Sequence, residues 1–131
     1  MLHPSQFKVN EAWIVFKLNA VPIQTEQDGD FNMLALMDAA SCFILTSASV
    51  PAMQAEPAEV EAKRFLLEGQ ARSRHWPKTL FIPVEQAAEI LMAEAERVGM
   101  EVVRLPEEQL SVFIGEAQQG FRERFGGGGL Q

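Results

Sequence analysis

WIVFKLNAVPIQTEQDGDFNMLALMDAASCFILTS, residues 13–47, alternates apolar runs with turn residues. Trp13-Ile14-Val15-Phe16 is a continuous apolar run of β-forming residues, the pattern of a strand covered on both faces. Pro22 lacks an amide hydrogen, so Val21–Thr25 reads as an edge continuation at best. Asp28-Gly29 signals a turn, because glycine tolerates positive φ. A second strand is expected over Phe31–Met37 and a third over Cys42–Thr46. The reversal Asp38-Ala39-Ala40-Ser41 joins them as an antiparallel hairpin.

Working outward, Ser47 to Pro57 reads as a loop punctuated by Pro51 and Pro57. A helix is expected from Pro57 to about Arg72, with Val60, Leu67 and Ala71 sharing one face and Glu59, Glu61, Lys63, Arg64 and Glu68 on the solvated side. Thr79–Ile82 reads as a short buried strand closed by Pro83. Glu85–Val98 reads as a second helix with Ala87, Ile90, Leu91 and Val98 inward, ended by Gly99 in a left-handed conformation. Val102-Val103 is the centre of a fifth strand. After Pro106, Leu110, Phe113, Ile114, Ala117, Phe121 and Phe125 hold helical spacing. Gly115 and Gly120 within that stripe suggest a close approach to another element. Phe65, Phe81, Met92, Met100, Phe113 and Phe121 read as core. The order β-β-β-α-β-α-β-α predicts an α/β fold: a mixed five-stranded sheet with helices on both faces. One domain is expected over residues 1–125, with 126–131 as a flexible glycine-rich tail.

The chain has 131 residues, a single-domain length, and can bury roughly two-thirds of its unfolded surface. Cys42 is the sole cysteine, so no intrachain disulfide forms; its apolar neighbours predict a buried, inert thiol. No apolar run approaches the ~20 residues of a membrane span. The first residues, MLHPSQFKVNE, lack the pattern of a signal peptide, so a cytoplasmic location is expected. A net charge of −7 repels phosphate backbones and weighs against nucleic acid as a partner.

The element order resembles the RNase H-like fold, and the first half resembles the opening of integrase and transposase cores. Trp13, Asp28-Gly29, Leu34-Ala35-Leu36-Met37, Asp38-Ala39-Ala40-Ser41 and Phe43-Ile44-Leu45 carry that likeness, with Pro77-Lys78-Thr79-Leu80 as the approach to a fourth strand. Active members clamp two divalent metals with three carboxylates: in the first strand, just after the fourth, and on a late helix. Such a clamp needs converging anionic oxygens. The first two positions here hold Phe16 and Pro83, with Glu85 two residues past the second, and Glu116 lies near the third. Lys17 beside the first position opposes a cation. The resemblance therefore implies the scaffold without its catalytic set.

Other candidates are sparse. Asp28-Gly29-Asp30 resembles a fragment of a calcium loop but lacks its remaining acids, which leaves turn formation. Asp38 is expected to cap its own turn. His3 and His75 have no ligand partner at metal spacing. No Gly-x-Ser-x-Gly elbow supports a triad built on Ser47 or Ser49. Gly126-Gly127-Gly128-Gly129 follows a helix and lacks the Lys-Ser/Thr of a phosphate loop. Arg72, Arg74, His75, Trp76 and Lys78 combine cations with an aromatic ring, a chemistry suited to anions or an acidic partner and equally to a solvated connection.

These observations predict a module without catalysis, metal or cofactor that binds a protein partner or a second copy of itself. Its contacts would be the Arg72–Lys78 loop and the last helix through Phe121 and Phe125. Two alternatives stand beside it. One is a metal-dependent nuclease or phosphoryl-transfer enzyme with acids relocated to Asp38, Glu85 and Glu116. The other is a small-molecule-binding domain using a pocket at the carboxyl ends of the parallel strands.

Overall fold

The structure, a computed structural model, describes residues 1–27 and 29–125. Its elements follow in the order β1 (Ala12–Lys17), β2 (Phe31–Asp38), β3 (Ile44–Pro51), α1 (Glu59–Ser73), β4 (Thr79–Pro83), α2 (Glu89–Arg97), β5 (Glu101–Leu105) and α3 (Ser111–Phe125), with 3-10 turns at Pro4–Gln6 and Glu107–Leu110. The strands form one sheet in the order β3-β2-β1-β4-β5. β1, β2 and β3 pair antiparallel; β1, β4 and β5 pair parallel. This is the mixed five-stranded layout expected from the element order.

β1 lies at the centre, and its alternating side chains feed two cores. Trp13 and Val15 join Leu36, Leu80 and Ile82 beneath Phe65 and Leu66 of α1 and Leu91 and Ala95 of α2. Ala12, Ile14 and Phe16 join Ala35, Met37 and Phe81 on the opposite face, beneath Leu110, Phe113 and Ile114. Continuous burial explains why β1 reads as an unbroken apolar run instead of an alternating one.

α1 turns inward a different side from the one its aliphatic spacing suggested. Val60, Leu67 and Ala71 are exposed, while Ala62, Phe65, Leu66 and Gly69 are buried. Gly69 accounts for the choice: a Cβ there would collide with Leu36 Cδ2 and come within 3.3 Å of the Trp13 ring, so only this side lets the helix settle on the sheet. At Gly115 and Gly120 a Cβ would meet nothing within 4 Å, so these two do not mark a close approach.

Three boundaries differ from expectation. β3 begins at Ile44, because Cys42 at φ 60° belongs to the preceding turn; it then runs to Pro51 along the full length of β2. A register shift opposite Leu36/Met37 directs Leu45 into the α1-side core, and Thr46 bonds Glu68 of α1 on that face. α1 starts at Glu59, two residues after Pro57. α2 starts at Glu89, because the residues after Pro83 are held in a turn. There the Arg104 guanidinium donates to the carbonyls of Ile82, Pro83 and Gln86. Ala87 and Ile90 are consequently exposed, and Leu91 and Ala95 form the inner face. Gly99 adopts φ 95° and ends α2 as expected. Asp28 and the tail 126–131 lie outside the described residues.

Gly69→Ala is expected to destabilise the fold by about 1–3 kcal/mol through overpacking against Leu36 and Trp13. Gly115→Ala, with open space around it, should leave stability level or raise it. Urea unfolding of the two variants checks the contrast.

Candidate functional site

In an RNase H-like enzyme the positions of Phe16 and Pro83 would carry metal-binding carboxylates. Phe16 is 0% exposed and packs among the α3-side core residues. Pro83 closes β4 and is buried. A crevice of about 290 Å³ opens beside the carboxyl ends of β1 and β4, lined by Lys17, Asn32, Gln54, Glu56, Glu85 and Gln86 over a floor of Leu34, Val50 and Leu91. It occupies the point where connections leave the sheet in opposite directions, a customary place for ligands in open α/β sheets.

Both acids in the crevice already have structural work. Glu56 Oε1 accepts from the amides of Ile90 at 2.9 Å and Leu91 at 3.4 Å, capping α2 from a distant loop. Glu85 Oε1 accepts from the Glu107 amide at 3.0 Å. The Lys17 side chain lines the same wall, so a divalent cation would meet its repulsion. Gln86 Oε1 is buried without a hydrogen-bond partner.

Asp38, Glu85 and Glu116 do not assemble. Asp38 pairs with Trp13 near the amino end of β1, whereas Glu85 follows the carboxyl end of the parallel strand β4. The buried Asp38 carboxylate accepts from Asn10 N at 2.6 Å, Ser41 N at 2.9 Å and Ser41 Oγ at 2.7 Å. It caps its own turn and also ties down the segment before β1. Among the described residues, no three His, Cys, Asp or Glu side chains are grouped to hold a metal ion. Cys42 is half-buried in the turn after β2, a correction to the expected burial within a strand. Its thiol is pushed up first by burial, then by the carboxylates of Asp38 and Glu116, which disfavours the nucleophilic thiolate.

The basic loop lies at the other end of the sheet from the crevice. Arg72 Nε donates to the Leu45 carbonyl at 3.5 Å, and Arg74 ends α1 at φ 73°. Trp76 packs on Trp13 with centroids 6.0 Å apart. The Lys78 backbone bridges Glu11 and Glu101, so its peptide joins the starts of β1 and β5. The side chains of Arg72, Arg74, His75 and Lys78 remain exposed, whereas the ring of Trp76 belongs with the core.

On the α3 face, a groove of about 530 Å³ runs between the second half of α3 and the β2–β3 half of the sheet. Leu18, Ile23, Phe31, Met33 and Ile44 line it with Phe121. The Phe125 side chain lies outside the described residues. The structure thus separates the two expected contact regions: the Arg72–Lys78 loop follows α1 at the amino end of β4, and Phe121 lies beyond the carboxyl end of β1.

No family model matches the chain, and no curated protein matches it significantly. Among solved structures, a chain in the cryo-EM structure of the simian T-cell lymphotropic virus intasome in complex with PP2A regulatory subunit B56 gamma aligns with a TM-score of 0.57 at 11% identity. The alignment covers 87% of this chain and 38% of that one. At such identity the similarity is one of fold.

Sequence reading singled out Lys17 and Glu85 but missed Glu56, Asn32 and Gln86, which reach the crevice from separate loops and strands and share no local pattern. Two outcomes test these assignments. Trp76→Ala should cost about 1–3 kcal/mol in urea unfolding, below the ~3–5 of a fully buried tryptophan, because the ring supports Trp13. The pH profile of Cys42 alkylation should have its midpoint above that of a free thiol in the same buffer, and Glu116→Gln should lower it slightly.

Proposed function

We propose that the protein is a non-catalytic module of RNase H-like layout that works by contacting protein, either a partner or a second copy of itself. The observation that carries this reading is the full burial of Phe16 among Phe81, Leu110 and Phe113, where a cation-dependent hydrolase needs a carboxylate. A charged oxygen in that packing would be desolvated without a partner, a cost of several kcal/mol. Burial of the Asp38 carboxylate and the backbone duties of Glu56 and Glu85 support the same reading. The fold-level likeness to a chain within an intasome complex supports the integrase-like layout. The apolar groove beside Phe121 offers this module a contact surface on the α3 face.

A second reading, a small-molecule-binding domain, draws on one observation: the crevice at the carboxyl ends of β1 and β4, with the unpaired acceptor of Gln86 in its wall.

Thermal melting with increasing Mg²⁺ or Mn²⁺ separates the module from a metal-dependent enzyme. A cation that binds the native state must raise the melting temperature. The module reading expects a flat response. A saturable rise abolished by Glu85→Gln would overturn it.

A further inference from the structure

We propose that the free edge of β3 is a dimer interface: two copies pair antiparallel through Thr46–Val50 about a two-fold axis at Ala48, joining their sheets into one. This deepens the interaction-module reading, rests on it, and names the partner as a second copy.

Among the described residues β3 has β2 as its one strand neighbour, which leaves its other edge open. The bond from Ala52 N to Asp30 O sets the ladder phase, so Val50, Ala48 and Thr46 bond inward to Asn32, Leu34 and Leu36. Ser47 and Ser49 then direct their N–H and C=O groups away from the sheet. Two further facts fit that phase. Leu45, at the bulge, presents its carbonyl to Arg72, and Pro51, which has no N–H, falls where an outward amide would otherwise point. Between these two stops lies a row of unpaired donors and acceptors, whose natural complement is another extended strand.

That complement is the strand itself. Ser47 and Ser49 are two residues apart. A two-fold axis at Ala48 therefore sets Ser47 against Ser49 of the second copy, and each such pair exchanges both of its N–H···O bonds. Phe43 and Met53 lie just outside the two ends of β3, so a strand laid along this edge ends beside them. These side chains are 55% and 98% exposed in the single chain. Covering them adds apolar burial and sulfur–aromatic contact.

Charge favours a second copy at this face. The chain carries −7, so two copies repel in general. The run Ala39–Ala55, which contains all of β3, has no charged residue. The charged residues of α1 that touch β3 are of opposite sign: Glu68 accepts from Thr46, and Arg72 donates to the Leu45 carbonyl. The opposite edge is guarded. β5 is shorter and carries Glu101 and Arg104, so pairing stops at two copies and does not propagate into a fibre.

An interface built on one strand pair is small, below the ~1,200 Å² of standard complexes, so the dimer should be of micromolar affinity. Sedimentation velocity across low to high micromolar protein is expected to show a monomer–dimer equilibrium. Ser49→Lys places like charges across the joint and should weaken it about tenfold or more, while Ser49→Thr leaves it intact. If the lysine variant folds poorly, hydrogen exchange on the wild type decides: the Ser47 and Ser49 amides must gain protection as concentration rises. A wild type that stays monomeric throughout, or a dimer with those two amides still unprotected, overturns the proposal. A monomeric wild type would sink the dimer while leaving the flat metal response in place, so the two failures are told apart.

Discussion

Burial of β1 from both sides is the constraint on which the molecule depends. Ala12 through Phe16 lie at the middle of the sheet, and each successive side chain enters the opposite core. Because both cores meet at this strand, neither face of it is available to water. Phe16 belongs to that packing, so the end of the central strand is filled by an aromatic ring. Dryness at the sheet centre and cohesion of the sheet therefore have one cause.

Polar groups sit at the periphery, and each end of the sheet uses them differently. At the amino end of β1, Asp38 gathers three donors, and the Lys78 peptide ties β1 to β5. At the carboxyl ends of β1 and β4, the crevice holds Lys17 with Glu56 and Glu85, two acids that secure backbone amides. Acids spread in this way hold turns and a helix start in place; a hydrolytic metal pair would need them gathered on one side. Beside the crevice, the surface offers a groove next to Phe121, a basic loop and an uncharged strand edge.

The two edges of the sheet make the same distinction. β5 ends the sheet with charges and with Arg104 folded back onto three carbonyls. β3 ends it with serines, an alanine and a valine. The cores show no such asymmetry: both are apolar.

Much of this was legible in the chain itself. The apolar run at Trp13–Phe16, the turn residues between strands and Gly99 after α2 specified strand count, element order and the mixed sheet, because local propensity and hydrophobic period act over a few residues. The exclusion of a carboxylate at Phe16 was equally readable. The inward side of α1 was not: Val60, Leu67 and Ala71 have good helical spacing, yet Gly69 decides the matter through its fit to Leu36 and Trp13, residues far away in sequence. Nor was the crevice, since Glu56, Asn32 and Gln86 come together only when separate segments converge. Composition and spacing can set the elements and the apolar total; which surfaces touch, and which strand edge is left open, depend on contacts between residues distant along the chain, and those exist only in the folded molecule.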